Sequence, residues 1–159
     1  MELFDTPGWR SVRDQKLREW VGDQSAVDFI VRFGDVCEVW DDLIDRDKKV
    51  LPSDINRAFW TTLVDIPLNP FFDRYKQSIV PILITGMNAW IDSTTMEHGE
   101  RNDRVFAYVL RDWYVEFVAF IICLLRGREY LWENSMEIRR FFTHHETLEQ
   151  YMEKLNEHR

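Results

Sequence analysis

Apolar residues recurring at three- and four-residue steps constrain this chain more than any other feature. Phe29, Phe33, Val36, Trp40 and Leu43 form one stripe, and Ala26, Ile30, Cys37 and Ile44 widen it. That spacing is the 3.6-residue period of an amphipathic α-helix. Ser25, with Asp28 in the capping-box position, predicts the start of this second helix, which runs to about Asp47.

The same reading extends along the chain. Thr6-Pro7 supplies a cap and a first helical residue, and Gly22 closes that first helix, whose apolar side is Trp9, Val12, Leu17, Trp20 and Val21. Pro52-Ser53 leads into a third helix, Asp54 to Ile66, stopped by Pro67. Asn69-Pro70 opens a fourth, through Phe71, Phe72, Tyr75, Ile79, Ile82, Leu83 and Trp90, with Gly99 near its end. Pro81 lies inside it and should kink or split it, because proline removes a helical donor and crowds the preceding turn. A fifth helix, capped by Asn102 or Asp103, runs to Arg126 with Gly127 behind it. A short helix covers Arg128 to Phe142, with a break at Asn134-Ser135. Thr143 and Glu146 form a capping box before a polar terminal helix, Leu148 to His158.

No run alternates apolar with polar, and no Asn-Gly or Asp-Gly hairpin turn, internal repeat or low-complexity linker interrupts the pattern. The expected fold is all-α: residues 1–159 as a single compact bundle or orthogonal cluster of about six to eight helices without a sheet. Seven Trp and eleven Phe supply material for a core. Trp9 and Trp20, Trp40, Trp60, Trp90, Trp113 and Trp132 fall on successive helices and are expected to fill one core. Phe33, Val36, Trp40, Phe106, Val109, Trp113, Phe117 and Phe120 are expected among its members.

Charge narrows the partners. The chain carries 20 basic and 28 acidic residues, a net charge of -8, which disfavours a nucleic-acid or anionic-membrane surface. Its densest basic stretch, Arg46, Lys48 and Lys49, is interrupted by Asp47 and reads as a solvated loop. Met1 to Trp9 has neither the basic start nor the apolar run of a signal peptide. The apolar run Phe117 to Leu125 is far shorter than the ~20 residues a membrane span needs. Cys37 and Cys123 are isolated within apolar patterns, which fits reduced core thiols of a soluble cytoplasmic protein.

The most suggestive chemistry is acidic. Asp35, Glu38, Asp41, Asp42 and Asp45 crowd the second helix, with Asp41 at the border of its apolar stripe. Carboxylates three and four residues apart repel one another. A cation, basic groups of a neighbour, or water would offset that repulsion, so a solvated face, a metal site and a docking surface for a basic partner all stay open. Magnesium suits such a site because it takes one or two carboxylates and completes its shell with water and substrate phosphate. Asp41-Asp42-Leu43-Ile44-Asp45 resembles the aspartate-rich motif of the all-helical isoprenoid diphosphate synthases. The resemblance spans five residues and implies a helix that binds magnesium holding a substrate diphosphate. The chain has about half the length of those enzymes, and Asn88, Asp92 and Ser93 only vaguely suggest a second metal motif, so the resemblance assigns no family.

On the fifth helix Glu116 falls at the edge of the expected apolar stripe, with Asp112 one turn before it. A carboxylate there needs a cation or a donor. Arg104, Arg111 or an arginine elsewhere would supply an ion pair. Alternatively Asp112 and Glu116 face Asp41 and Asp45 across a groove as a two-metal site for phosphoester or diphosphate chemistry, with Asp41, Asp45 and Glu116 as ligands and Asp42 and Asp112 in support.

Other chemistries find no footing. His144 and His145 are adjacent and diverge on a helix, His98 and His158 stand alone, and the scattered glycines form no phosphate loop. Three readings remain: a helical protein acting by protein–protein interaction or self-association, a magnesium-dependent enzyme on a phosphorylated or diphosphate substrate, and an acidic decoy for a nucleic-acid-binding surface. An enzyme requires a concave pocket at the acidic helix, whereas a binding module requires an exposed apolar patch.

Overall fold

A computed structural model describes residues 7–46, 48–143 and 146–157. Every regular element among them is helical, as the periodicity predicts: α1 Pro7–Val21, α2 Gln24–Asp45, α3 Pro52–Trp60, a π-helical turn Thr61–Asp65, α4 Pro70–Met96, α5 Arg101–Leu110, α6 Trp113–Phe142 and α7 Leu148–Glu157. Among the described residues, no helix is long and apolar enough to cross a membrane. Two compact units can be distinguished, Arg13–Ile79 and a second made of Met1–Val12 with Val80–Arg159. Their boundary falls inside α1 and inside α4, where it lies one residue before the helix-interior Pro81.

The Arg13–Ile79 unit is built around Phe29. Its ring is fully buried and meets Phe33, Phe71 and Phe72 at centroid separations of 6.2, 5.9 and 5.3 Å. Leu17, Trp20 and Val21 of α1, Ala26, Val27 and Ile30 of α2, and Ile66 and Ile79 complete the buried set. Gly22 closes α1 as expected: its positive φ of 74° lets its N–H bond back to the Arg18 carbonyl at 3.1 Å. The start of α2 differs from the Ser25–Asp28 expectation. Asp23 is the cap, accepting from the Ala26 N–H at 2.8 Å and from the Ser25 hydroxyl at 2.7 Å. The cap therefore sits two residues earlier than the sequence pattern placed it. At the other end, α2 stops at Asp45 and Arg46 takes the left-handed φ of 60°. Asn69 accepts from the Phe72 N–H at the start of α4 and donates to the Ser25 carbonyl, fastening the α4 and α2 starts together. Thr6, expected to cap α1, lies outside the described residues, as does Asp47.

The other unit corrects the fifth helix. The expected run from Asn102 or Asp103 to Arg126 is interrupted at Arg111–Asp112, and Glu100 takes the N-cap position with Asp103 accepting from its N–H. Neither residue of the interruption is Gly or Pro, so nothing local marks it. The break resets the helical phase. Trp113, Val115, Phe117, Val118, Ile121 and Ile122 are buried along α6, while Phe106 and Val109 on α5, expected in the core, are exposed. Gly127, at φ 84°, bends α6 back on itself. A straight helix would hold Glu116 and Arg139 roughly 35 Å apart. They form a 2.7 Å ion pair, and Tyr114 and Phe142 rings meet at 5.9 Å. The α6 halves therefore form a hairpin. The single core of tryptophans is corrected as well: Trp20, Trp90 and Trp113 are buried, Trp60 and Trp132 are exposed, and Phe33, Val36, Trp40 and Phe120 are half-buried. The terminal helix is capped by Thr147 and Gln150 rather than Thr143 and Glu146, with Thr147 N–H donating to Gln150 at 2.8 Å and the Thr147 hydroxyl accepting from the Gln150 N–H at 3.2 Å. His144, His145 and His158 lie outside the described residues.

Candidate functional site

Four charged positions singled out by sequence have different environments from those expected. Glu116 is not a buried acid. The Arg111–Asp112 break turns it to the solvent side of α6, where the expected ion pair is made by an arginine elsewhere, Arg139, and not by Arg104 or Arg111. Asp112, half-buried, stands in the turn before α6 and not one turn along the same helix. Arg111 is engaged elsewhere: it donates to Glu97 at 2.6 Å, and the Tyr151 hydroxyl donates to the same carboxylate at 2.6 Å. Arg104 is buried and donates to the Gly99 carbonyl and to Asn156. These bonds fasten α4, α5 and α7 to one another, and they are the partnered buried charge that sequence reasoning sought at Glu116.

On α2, Asp41, Asp42 and Asp45 are all half-buried. Asp35 is exposed and 3.6 Å from Arg13. Cys37 lies among these acids. Burial, reinforced by the negative fields of Asp41 and Glu38, pushes its thiol up to about 12. The thiol stays protonated at neutral pH and is a poor nucleophile or metal ligand. Asn88 donates to Asp92 at 2.8 Å on α4, and the buried Ser93 hydroxyl donates to the Trp90 carbonyl at 2.6 Å. Within either unit, among the described residues, no three His, Cys, Asp or Glu side chains gather in a way that could hold a metal ion. A cavity of about 360 Å³ near the start of α5 is lined by Gly99, Glu100, Arg101, Arg104, Met152 and Asn156, and none of the proposed metal ligands reaches it.

The unexpected feature is apolar. Between α2 and α4 the chain leaves Phe59 64%, Trp60 62%, Leu63 69% and Leu68 76% exposed. Phe59 and Leu63 are four residues apart and share one side of the α3–π run, with Trp60 beside them. The buried residues of that run, Thr61 and Ile66, lie elsewhere on it, and α3 itself has no buried residue. Leu43 and Ile44 at the end of α2 and Leu51 before α3 are exposed as well. The π-helical turn inserts one extra residue per turn just after Trp60, with Ile66 N–H closing onto the Thr61 carbonyl at 2.9 Å. Such turns shift the phase of a helix and occur often at functional positions. Sequence reasoning placed Trp60 in the core, yet a signal was present. Phe59, Trp60, Leu63, Val64, Ile66 and Leu68 are more apolar groups than one side of so short a helix can bury.

A second exposed set, Val80, Ile84, Met87 and Ile91, lies on one side of α4 in the other unit. Residues 77–91 carry no charged side chain. With no charge to mark a solvent side in this middle stretch of the fourth helix, periodicity alone could not say which of its residues face water.

Compared with protein families, characterised proteins and solved structures, the chain matches none.

Proposed function

We propose that this chain is a helical binding module that docks another protein on the surface formed by Phe59, Trp60 and Leu63. The observation that carries this reading is the exposure of those three large apolar side chains on adjoining positions of a short helical run. Full burial would stabilise each by roughly 1.5–3 kcal/mol. A folded chain that leaves several together in water forgoes that stabilisation, and contiguous exposed apolar patches mark surfaces that another molecule covers. Trp and aromatic anchors of this kind also dominate the energetics of protein interfaces.

A photo-crosslinking residue placed at Leu63, in cells that make the chain, tests the reading. The expected result is a discrete adduct with another protein that is absent with the crosslinker at exposed Arg128, and that disappears when Phe59→Ser is added. An adduct pattern at Leu63 no different from that at Arg128 overturns it.

A further inference from the structure

We infer that the partner of this surface presents a basic amphipathic helix. The inference rests on the binding-module reading and adds the chemistry of what is bound.

The occupant is selected by charge. From Asp35 to Asp45, α2 carries five carboxylates and no basic residue, and Asp35 among them pairs with Arg13 of α1. α2 packs against both α3 and the π-helical turn, and an ion pair between Arg32 and Asp65 ties the two. Exposed Leu43 and Ile44 are interleaved with Asp41, Asp42 and Asp45 at the end of α2. Apolar anchors and concentrated negative charge therefore belong to neighbouring, mutually packed elements of one unit. An amphipathic helix docks its apolar side through anchors spaced one turn apart, the spacing of Phe59 and Leu63. Lys and Arg flanking that side would meet the negative field of the α2 carboxylates. A second copy of this chain fits less well. A symmetric pairing through the same patch brings the acidic stretches of two α2 helices onto one interface, and like charges there oppose association.

Fluorescence anisotropy of three labelled synthetic peptides tests the inference on the full chain. One is a Lys/Leu/Trp helix with apolar residues at helical spacing, one has the same composition with the spacing scrambled, and one replaces Lys with Glu. The basic amphipathic peptide is expected to bind at least about tenfold more tightly than either control. Phe59→Ser with Leu63→Ser should weaken it by about tenfold or more. Asp41→Asn with Asp45→Asn should weaken it by roughly fivefold and flatten its salt dependence. Melting temperatures of both double variants no lower than that of the parent show that the losses are not unfolding. Equal binding of the scrambled peptide overturns the inference, because charge alone then suffices. Equal binding of the Glu peptide overturns it too, because the patch then ignores charge, while the binding-module reading stands. Failure of all three peptides alongside a crosslinked adduct at Leu63 means a partner of different chemistry, and failure of both experiments removes both readings. If light scattering shows dimers that Phe59→Ser dissociates, the occupant is a second copy and the inference falls.

Discussion

At the scale of single residues, Gly86 and Trp113 are a pair that only one side-chain size permits. A Cβ added at Gly86 would overlap the Trp113 ring, and that ring is itself buried against Phe117. Gly86→Ala should therefore cost about 1–3 kcal/mol, although alanine favours a helix. Trp113→Ala should cost about 3–5 kcal/mol by leaving a cavity. In the Trp113→Ala background, Gly86→Ala should turn neutral or stabilise by up to about 1 kcal/mol, since the clash is gone and helix propensity is left. Urea denaturation of the parent and the three variants measures this, and additive losses would show that the two residues do not touch. Cys37 gives a pH dependence of definite sign. Its folded thiol is pushed up to about 12, while an unfolded thiol ionises near ~8.5. Between those values the unfolded chain releases a proton that the folded chain keeps, so this contribution to stability is present below ~8.5 and is lost as pH rises. The loss is at most about 1.4 kcal/mol per pH unit. Unfolding free energies at about pH 8 and about pH 10 should fall more in the parent protein than in Cys37→Ala, and equal falls would refute the burial of this thiol. Trp113 and Phe117 were legible as core from their spacing. Glu116 was not, because its side of the helix depends on a break two turns of sequence do not announce.

At the scale of elements, capping chemistry was readable in kind but not always in position. Gly22, Pro52 and Gly127 punctuate the chain where a left-handed turn, a first helical turn and a bend are found, because these residues act through their own backbone. Carboxylate and hydroxyl caps are interchangeable over a few residues, so Asp23 took the place expected of Ser25 and Thr147 that of Thr143. Asp23 can be tested directly. The Ser25 hydroxyl and then the Ala26 N–H hold its carboxyl below the usual carboxylate range. A depressed folded value contributes stability above the unfolded value and loses it as pH falls. Asp23→Ala should cost about 1 kcal/mol near neutrality. The difference between parent and variant should shrink below about pH 4, and thermal melts across that range would show it. A difference independent of pH would mean that the cap acts through shape and not charge. The interruption at Arg111–Asp112 was the element-level feature hidden from sequence. Leu110-Arg111-Asp112-Trp113 has no residue that disfavours a helix strongly enough to stop one, and tertiary bonds such as Arg111 to Glu97 decide the matter.

At the scale of the whole molecule, composition and periodicity together disclose the helical class, whereas function depends on which apolar and acidic groups remain at the surface after packing. Apolar residues numerous enough to make 45% of the chain cannot all be assigned inside or outside by counting. The boundary between the two compact units is only half legible in sequence: no Gly- or Ser-rich linker marks it, its crossing of α1 has no signal, and its crossing of α4 lies beside Pro81. The acidic stretch of α2 is where the binding-module and magnesium readings make opposite demands on the same residues. If the carboxylates serve a protein partner, magnesium or manganese at millimolar concentration should act only as a screening salt and shift the melting temperature no more than sodium chloride at matched ionic strength. In the same reading, Asp41→Asn with Asp45→Asn should raise the melting temperature in the absence of divalent ions, because like charges one turn apart are removed. If the carboxylates instead hold a divalent ion, occupancy at one hundred times the dissociation constant stabilises the native state by about 2.7 kcal/mol, and the double substitution abolishes that increment. A calorimetric melt of the parent and the double variant, each with and without the ion, separates the two demands. An ion-specific rise that the double variant loses would move the chain's function from docking toward phosphate chemistry.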